Sequence, residues 1–131
     1  MVGNMNPPAD RDKSIAVVNA TDAQLLAVEF ELLPFAVQRI FVVSSHSVSV
    51  NRGNHLAGCN QLLILLSGKV SLKLVRPDMK VTNFYLDAVG SSAFIGPEDF
   101  VTYELLNPDS EILVLADKSY ADSFANRERK K

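Results

Sequence analysis

The chain has 131 residues and a mass of 14.4 kDa, with a formal charge of −2, 47% hydrophobic residues and 21% charged residues. These values fit one domain with a sizeable core and argue against disorder as the main state. They exclude a broad basic footprint for nucleic acid, and the single cysteine, Cys59, excludes an intramolecular disulfide framework and a thiolate-rich zinc site.

Residues 1–13 hold two prolines, two asparagines and four charges without apolar periodicity, which predicts a flexible arm. They have neither the basic start nor the apolar run of a secretory signal. Ile15-Ala16-Val17-Val18 reads as a first strand. Leu25 to Leu33 reads as a second, with Leu26, Val28, Phe30 and Leu32 at period two and Glu29 and Glu31 on the other face. Pro34 ends it, since proline brings no N–H to a ladder. Val37 to Val43 resumes extended structure, rich in β-branched residues.

Further along, Leu62 to Leu66 forms an apolar stretch that no other run in the sequence exceeds. It is far shorter than the ~20 residues that span a bilayer, so the expectation is a cytoplasmic protein without membrane contact. Ser67-Gly68 predicts a turn into Lys69–Val75, where Val70, Leu72 and Leu74 share one face. Arg76-Pro77-Asp78 and Asn107-Pro108-Asp109 are turn signals. Val81–Leu86, Ser92–Ile95, Phe100–Leu106 and Glu111–Ala116 complete the strands. One helix is expected, over Ser119–Glu128, with Tyr120 and Phe124 four apart and able to dock on the core. The boundaries expected are the arm at 1–13, one domain at 14–125 and a charged tail at 126–131. Regular short strands punctuated by turns indicate an all-β sandwich or barrel.

Chemistry concentrates around one histidine. His46 lies in the polar run Ser44–Ser49 and is expected exposed and uncommitted. His55 closes Asn51-Arg52-Gly53-Asn54-His55, where an arginine, a glycine and an imidazole combine anion binding with proton transfer. The bland alternative is a hydrogen-bonded structural histidine beside a surface arginine. No histidine follows His55, and one imidazole cannot fill three or four coordination positions, so no metal is expected. Gly-rich phosphate loops, a Gly-x-Ser-x-Gly elbow and a Cys-x-x-Cys pair are all missing from the sequence. Cys59 follows His55 by four residues, yet nothing orients the imidazole toward it, and a buried thiol is the expectation.

Taken together, Val37–Phe41, Asn51–His55, Gln61–Gly68, Phe94-Ile95-Gly96-Pro97 and Ile112–Asp117 resemble the WxcM-like cupins, small sugar-nucleotide 3,4-ketoisomerases. The resemblance covers roughly residues 24–125, in order and with nearly the family's spacings. It implies a cupin jelly-roll β-barrel with a short C-terminal helix, no metal or other cofactor, and a homodimer able to exchange N-terminal strands. The implied ligand is a dTDP-4-keto-6-deoxyhexose, whose ketone moves between C4 and C3 by proton transfer through an enediol.

Carried over residue by residue, the resemblance makes His55 the general base, and makes Arg52 and Arg39 contacts to the diphosphate or sugar. Gln61 falls on a pocket-facing strand, and Tyr103 or Glu104 stands in for a lost polar cluster. The departures are specific. Ala57 occupies the place of a second histidine, and the segment from there to Gln61 is one residue shorter. Phe41-Val42 replaces a tyrosine pair, and Phe100-Val101-Thr102 replaces Trp-His-Glu. Two further readings accommodate these losses: a non-catalytic cupin that binds a sugar nucleotide, and a structural or interaction cupin with a barrel filled by side chains.

Overall fold

A computed structural model describes residues 11–47 and 50–124, with the side chains of 50–54 excluded. The arm up to residue 10 and the tail from 125 therefore lie outside the described residues. Ten strands follow one another: β1 (Ile15–Asn19), β2 (Gln24–Val28), β3 (Arg39–Ser44), β4 (Val50–Leu56), β5 (Gln61–Ser67), β6 (Val70–Val75), β7 (Val81–Leu86), β8 (Ser92–Ile95), β9 (Phe100–Leu105) and β10 (Glu111–Ala116). A helical turn, α1, covers 120–124. Ser119 caps it, its Oγ accepting from the Asp122 N–H at 3.2 Å.

Eight strands form two antiparallel sheets, ordered β3-β10-β5-β8 and β4-β9-β6-β7, while β1 and β2 pair as a separate hairpin. This is the strand order of a jelly roll built from two Greek keys. No strand pairing joins the two sheets among the described residues, so the roll is a two-sheet sandwich and not a hydrogen-bonded closed barrel.

The apolar patterns explain the layering. Val70, Leu72 and Leu74 alternate with exposed Ser71 and Lys73, so β6 turns one face inward. β5 is instead apolar without alternation because both its faces are covered. Leu63 and Leu65 join Ile112, Val114, Leu72, Leu74, Val101 and Leu105 between the sheets. Leu62 and Ile64 face the other way, packing with Leu115 under the hairpin residues Ile15, Val17, Leu26 and Val28.

Two expectations need correction. The second strand stops at Val28, and Phe30–Leu32 is a 3-10 turn. The Glu29 N–H donates to the Ser14 carbonyl at 2.7 Å, beyond which β1 offers no further partner, so Phe30 and Leu32 swing into solvent. Conversely, Val50–Leu56 is a strand that the sequence hid, because Asn51, Arg52, Gly53 and Asn54 carry no apolar alternation.

The turns match their sequence signals. Gly68 has φ +75°, and a Cβ there would lie 2.8 Å from the Ser110 nitrogen. That close approach lets the buried Ser110 Oγ accept from the N–H groups of Lys69 (3.1 Å) and Asn107 (3.0 Å) and donate to the Lys69 carbonyl (2.9 Å). One serine thereby ties the β5–β6 turn to the β9–β10 turn. Among the described residues, no helix is long and apolar enough to cross a membrane.

Candidate functional site

The inner faces of the two sheets separate at one end of the sandwich and leave a cavity of about 510 Å³. Register explains which residues meet there. Arg39 pairs with Ala116, Ala116 with Gln61, and Gln61 with Ile95, forming one row across the first sheet. The next inward-facing row brings Phe41, Val114 and Leu63 together. From the second sheet come His55, which sits opposite Val101, and Tyr103, which sits opposite position 52.

A β-bulge makes this arrangement possible. Positions 52 and 55 are an odd number apart, and on a regular strand they would point to opposite faces. The pairing of β4 with β9 shifts between Gly53 and His55, so three residues of β4 span two of β9. His55 thereby reaches the face shared by Val101 and Tyr103, and both of these line the cavity. The Arg52 side chain lies outside the described residues.

Of the residues expected in a site, Arg39, His55, Gln61 and Tyr103 all line this single cavity. His46 is exposed in a bend between β3 and β4. Glu104 pairs with Asn51 and Ser71 on β9, one residue away from the cavity face. Cys59 is buried as a free thiol. It donates to the Ala57 carbonyl at 3.8 Å and accepts from Gln61 Nε2 at 3.4 Å, which fixes the Gln61 amide at the cavity wall. Ala57, where the resemblance would place a second histidine, is fully buried in the core between the sheets.

His55 Nδ1 lies 2.8 Å from the Leu56 carbonyl. A carbonyl only accepts, so Nδ1 carries the hydrogen, and in the neutral ring Nε2 keeps a lone pair suited to a proton acceptor.

Arg39 is held differently. Its Cζ lies 4.9 Å from the Phe41 ring centroid and 5.6 Å from that of Tyr120. Its Nε and Nη2 are buried without a hydrogen-bond partner. Those two atoms form the edge of a guanidinium that grips an oxyanion with two parallel bonds. A half-buried guanidinium with that edge buried and unmatched is costly to the empty protein and suited to an anionic ligand.

The remaining wall is aliphatic, with Leu63, Ile95, Val101 and Val114. The site thus brings together an imidazole, a guanidinium, an amide, two phenols and an aliphatic floor. Among the described residues, no three His, Cys, Asp or Glu side chains are grouped so as to hold a metal ion.

Sequence reasoning missed Tyr120. The spacing of Tyr120 and Phe124 predicts a pair docked on the core, but both are exposed and stack on each other at 6.2 Å. It is Ser123 of α1 that is buried, and Tyr120 reaches the cavity mouth. No local pattern announces this, because the contact with Arg39 depends on the β10–α1 connection. There Asp117 Oδ1 accepts from the Asn60 N–H and Oδ2 from Asn60 Nδ2, both at 2.9 Å, pinning the start of that connection beside Gln61.

A family model described as "FdtA: WxcM-like, C-terminal" matches residues 12–130. No curated protein matches the sequence. Among solved structures, the fold is similar to QdtA, a sugar 3,4-ketoisomerase from Thermoanaerobacterium thermosaccharolyticum in complex with TDP. That likeness has a TM-score of 0.70 and 20% identity over 89% of this chain and 93% of that one. It is also similar to WlaRA, a TDP-fucose-3,4-ketoisomerase from Campylobacter jejuni, with a TM-score of 0.69 and 18% identity over 90% and 93%. A dTDP-4-dehydrorhamnose 3,5-epimerase from Bacillus anthracis aligns with a TM-score of 0.68 and 14% identity over 82% and 71%.

Proposed function

The chain belongs to the FdtA family, WxcM-like, C-terminal, and on that premise we propose that it binds a dTDP-4-keto-6-deoxyhexose and moves its ketone between C4 and C3 by proton transfer. The observation that carries this reading is the meeting, in one cavity, of an imidazole whose Nδ1–H is held by the Leu56 carbonyl and an arginine whose Nε and Nη2 are buried without a hydrogen-bond partner among the described residues. The first is a base, and the second is a seat for a diphosphate.

In this reading the Arg39 Nε–Nη2 edge takes diphosphate oxygens, and the sugar lies over the aliphatic floor. His55 Nε2 removes the C3 proton, whose bonding pair becomes the C3–C4 double bond while O4 gains the charge. The Tyr103 hydroxyl and the Gln61 amide are the neutral donors at hand for that enediolate. The O3 proton passes to O4, the O3–H bonding pair forms the C3 carbonyl, and the C3–C4 double-bond pair takes the proton of the His55 imidazolium at C4, leaving a hydroxyl on C4 and the ketone at C3. Because C3 and C4 are bonded neighbours, one imidazole can serve both, which suits a site whose second histidine is replaced by Ala57. Arg52 is assigned a phosphate or sugar contact, since the register sets its position opposite Tyr103.

A homodimer is part of the proposal. The outer face of β3, an edge strand, exposes Ile40 and Val42 at 53% and 50% beside the hairpin, which exposes Val18 and Leu25. Such a strip next to open strand edges suits a second copy of the chain.

The alternative reading, a cupin that binds the nucleotide sugar without turnover, is favoured by the burial of Ala57 in apolar core and by the single imidazole. Carbon-13 NMR of dTDP-4-keto-6-deoxyglucose with the purified protein separates the two readings. The isomerase reading expects a C3 carbonyl signal to replace the C4 one. Calorimetric binding of dTDP without a new carbonyl would favour the binder, and no binding would contradict both.

A further inference from the structure

The C-terminal turn brings to the cavity a side chain that the ketoisomerase chemistry leaves without a task. Tyr120 is 62% exposed, too open to be explained by core packing, yet its ring centroid lies 5.6 Å from Arg39 Cζ. Phe41 supplies a second ring at 4.9 Å. Attraction of a guanidinium to aromatic faces leaves its N–H edge available, and the edge left without a partner is the bidentate Nε–Nη2 pair. Phe124 stacks on Tyr120, and the Ser119 cap fixes the first turn of the helix. The reciprocal bonds between Asn60 and Asp117 fix the connection that leads into it.

We infer that Tyr120 is a positioning residue. With Phe41 it brackets the Arg39 guanidinium so that its unpartnered edge is already held in place at the cavity wall when an anion arrives. The identity of that anion, a nucleoside diphosphate, rests on the function proposed above. An unbracketed arginine would have to surrender the rotamer freedom of its long side chain on binding, and holding it beforehand removes that loss. What is required of residue 120 is an aromatic face and not a hydroxyl. Its effect also passes entirely through Arg39.

Calorimetric titration of the full chain with dTDP, and separately with inorganic pyrophosphate, tests this. Tyr120→Ala and Tyr120→Leu are expected to weaken both probes about three- to tenfold, the scale of a partly desolvated cation–π contact. Tyr120→Phe should restore the affinity. In an Arg39→Ala background, Tyr120→Ala should cause no further loss. A loss that persists without Arg39, or that affects dTDP and spares pyrophosphate, would show Tyr120 touching the nucleotide itself and overturn the inference. Unchanged binding in Tyr120→Ala and Tyr120→Leu would overturn it as well. If the wild-type chain binds neither probe, the nucleotide reading fails and the inference falls with it. If it binds both and the Tyr120 variants match it, only the inference fails.

Discussion

Arg39, the anion-binding residue of the proposal, is held at the expense of the empty protein. Among the described residues, its Nε and Nη2 are buried without a hydrogen-bond partner, and the Phe41 and Tyr120 rings lie against the guanidinium. Arg39→Met keeps an apolar stem and removes that desolvated charge, so its melting temperature should equal or exceed that of the wild type. Its dTDP affinity should fall by about 1.5–3 kcal/mol, the worth of hydrogen bonds to a charged group. Calorimetry beside thermal melts checks both halves, and a large drop in stability would mean that Arg39 is structural. His55 behaves in the opposite sense. His55→Asn keeps a polar side chain at the cavity wall but cannot accept a proton near neutral pH. Activity should fall by about 10²–10⁴ or more with little change in the melt, and full retained activity would remove His55 from the mechanism. Arg39, His55 and Gln61 were legible in the sequence because their types and order resemble the family pattern, whereas Tyr103 was reached, beside Glu104, only as a neighbour of a lost polar cluster. Tyr120 was not, since its partner is 81 positions away in the chain and no periodicity encodes that contact.

The element that most shapes the site is the β4 bulge. The sequence shows Arg52-Gly53-Asn54-His55 as a motif but does not show that position 54 is the extra residue, because bulges leave no apolar signature. Deleting Asn54 should restore regular pairing with β9 and turn His55 away from Val101. The expected result is a folded chain without isomerase activity, with a His55 ring signal insensitive to dTDP in proton NMR. An active deletion variant would show that the register shift is unimportant. Strand β4 itself was illegible because Asn51, Arg52, Gly53 and Asn54 carry no apolar alternation. β5 and β6 were plain because burial writes itself as apolar runs and alternation. The β5–β6 turn offers a test remote from the cavity. Gly68→Ala adds a Cβ against Ser110 at a positive φ, and should cost about 1–3 kcal/mol in urea unfolding while leaving the affinity of the folded fraction for dTDP unchanged. A neutral result would mean that the turn and Ser110 shift together without penalty.

At the scale of the whole molecule, two sheets in jelly-roll order place the inner rows of β3, β5 and β10 against β4 and β9. The cavity is the place where those rows stop interdigitating. The all-β class and most strand positions could be read from the sequence. The separation of the sheets at one end could not, because it follows from the lengths and bends of eight strands together. The exposed strip at Ile40 and Val42 belongs to this scale too. If it is the dimer face, Ile40→Lys with Val42→Lys should convert a dimer to a monomer in sedimentation velocity, since a buried unpaired charge opposes association. A wild-type chain that sediments as a monomer would contradict that assignment.

Deuterium exchange is the most direct test of the proposed proton abstraction from the sugar in this cavity. The protein is placed in D₂O with dTDP-4-keto-6-deoxyglucose, and the C3 proton signal is followed beside the same sample with His55→Asn. The C3 signal is expected to disappear with the wild type and to persist with the variant. A C3 signal that persists while the nucleotide resonances broaden on binding would contradict proton abstraction and leave a cupin that holds the sugar nucleotide without turning it over.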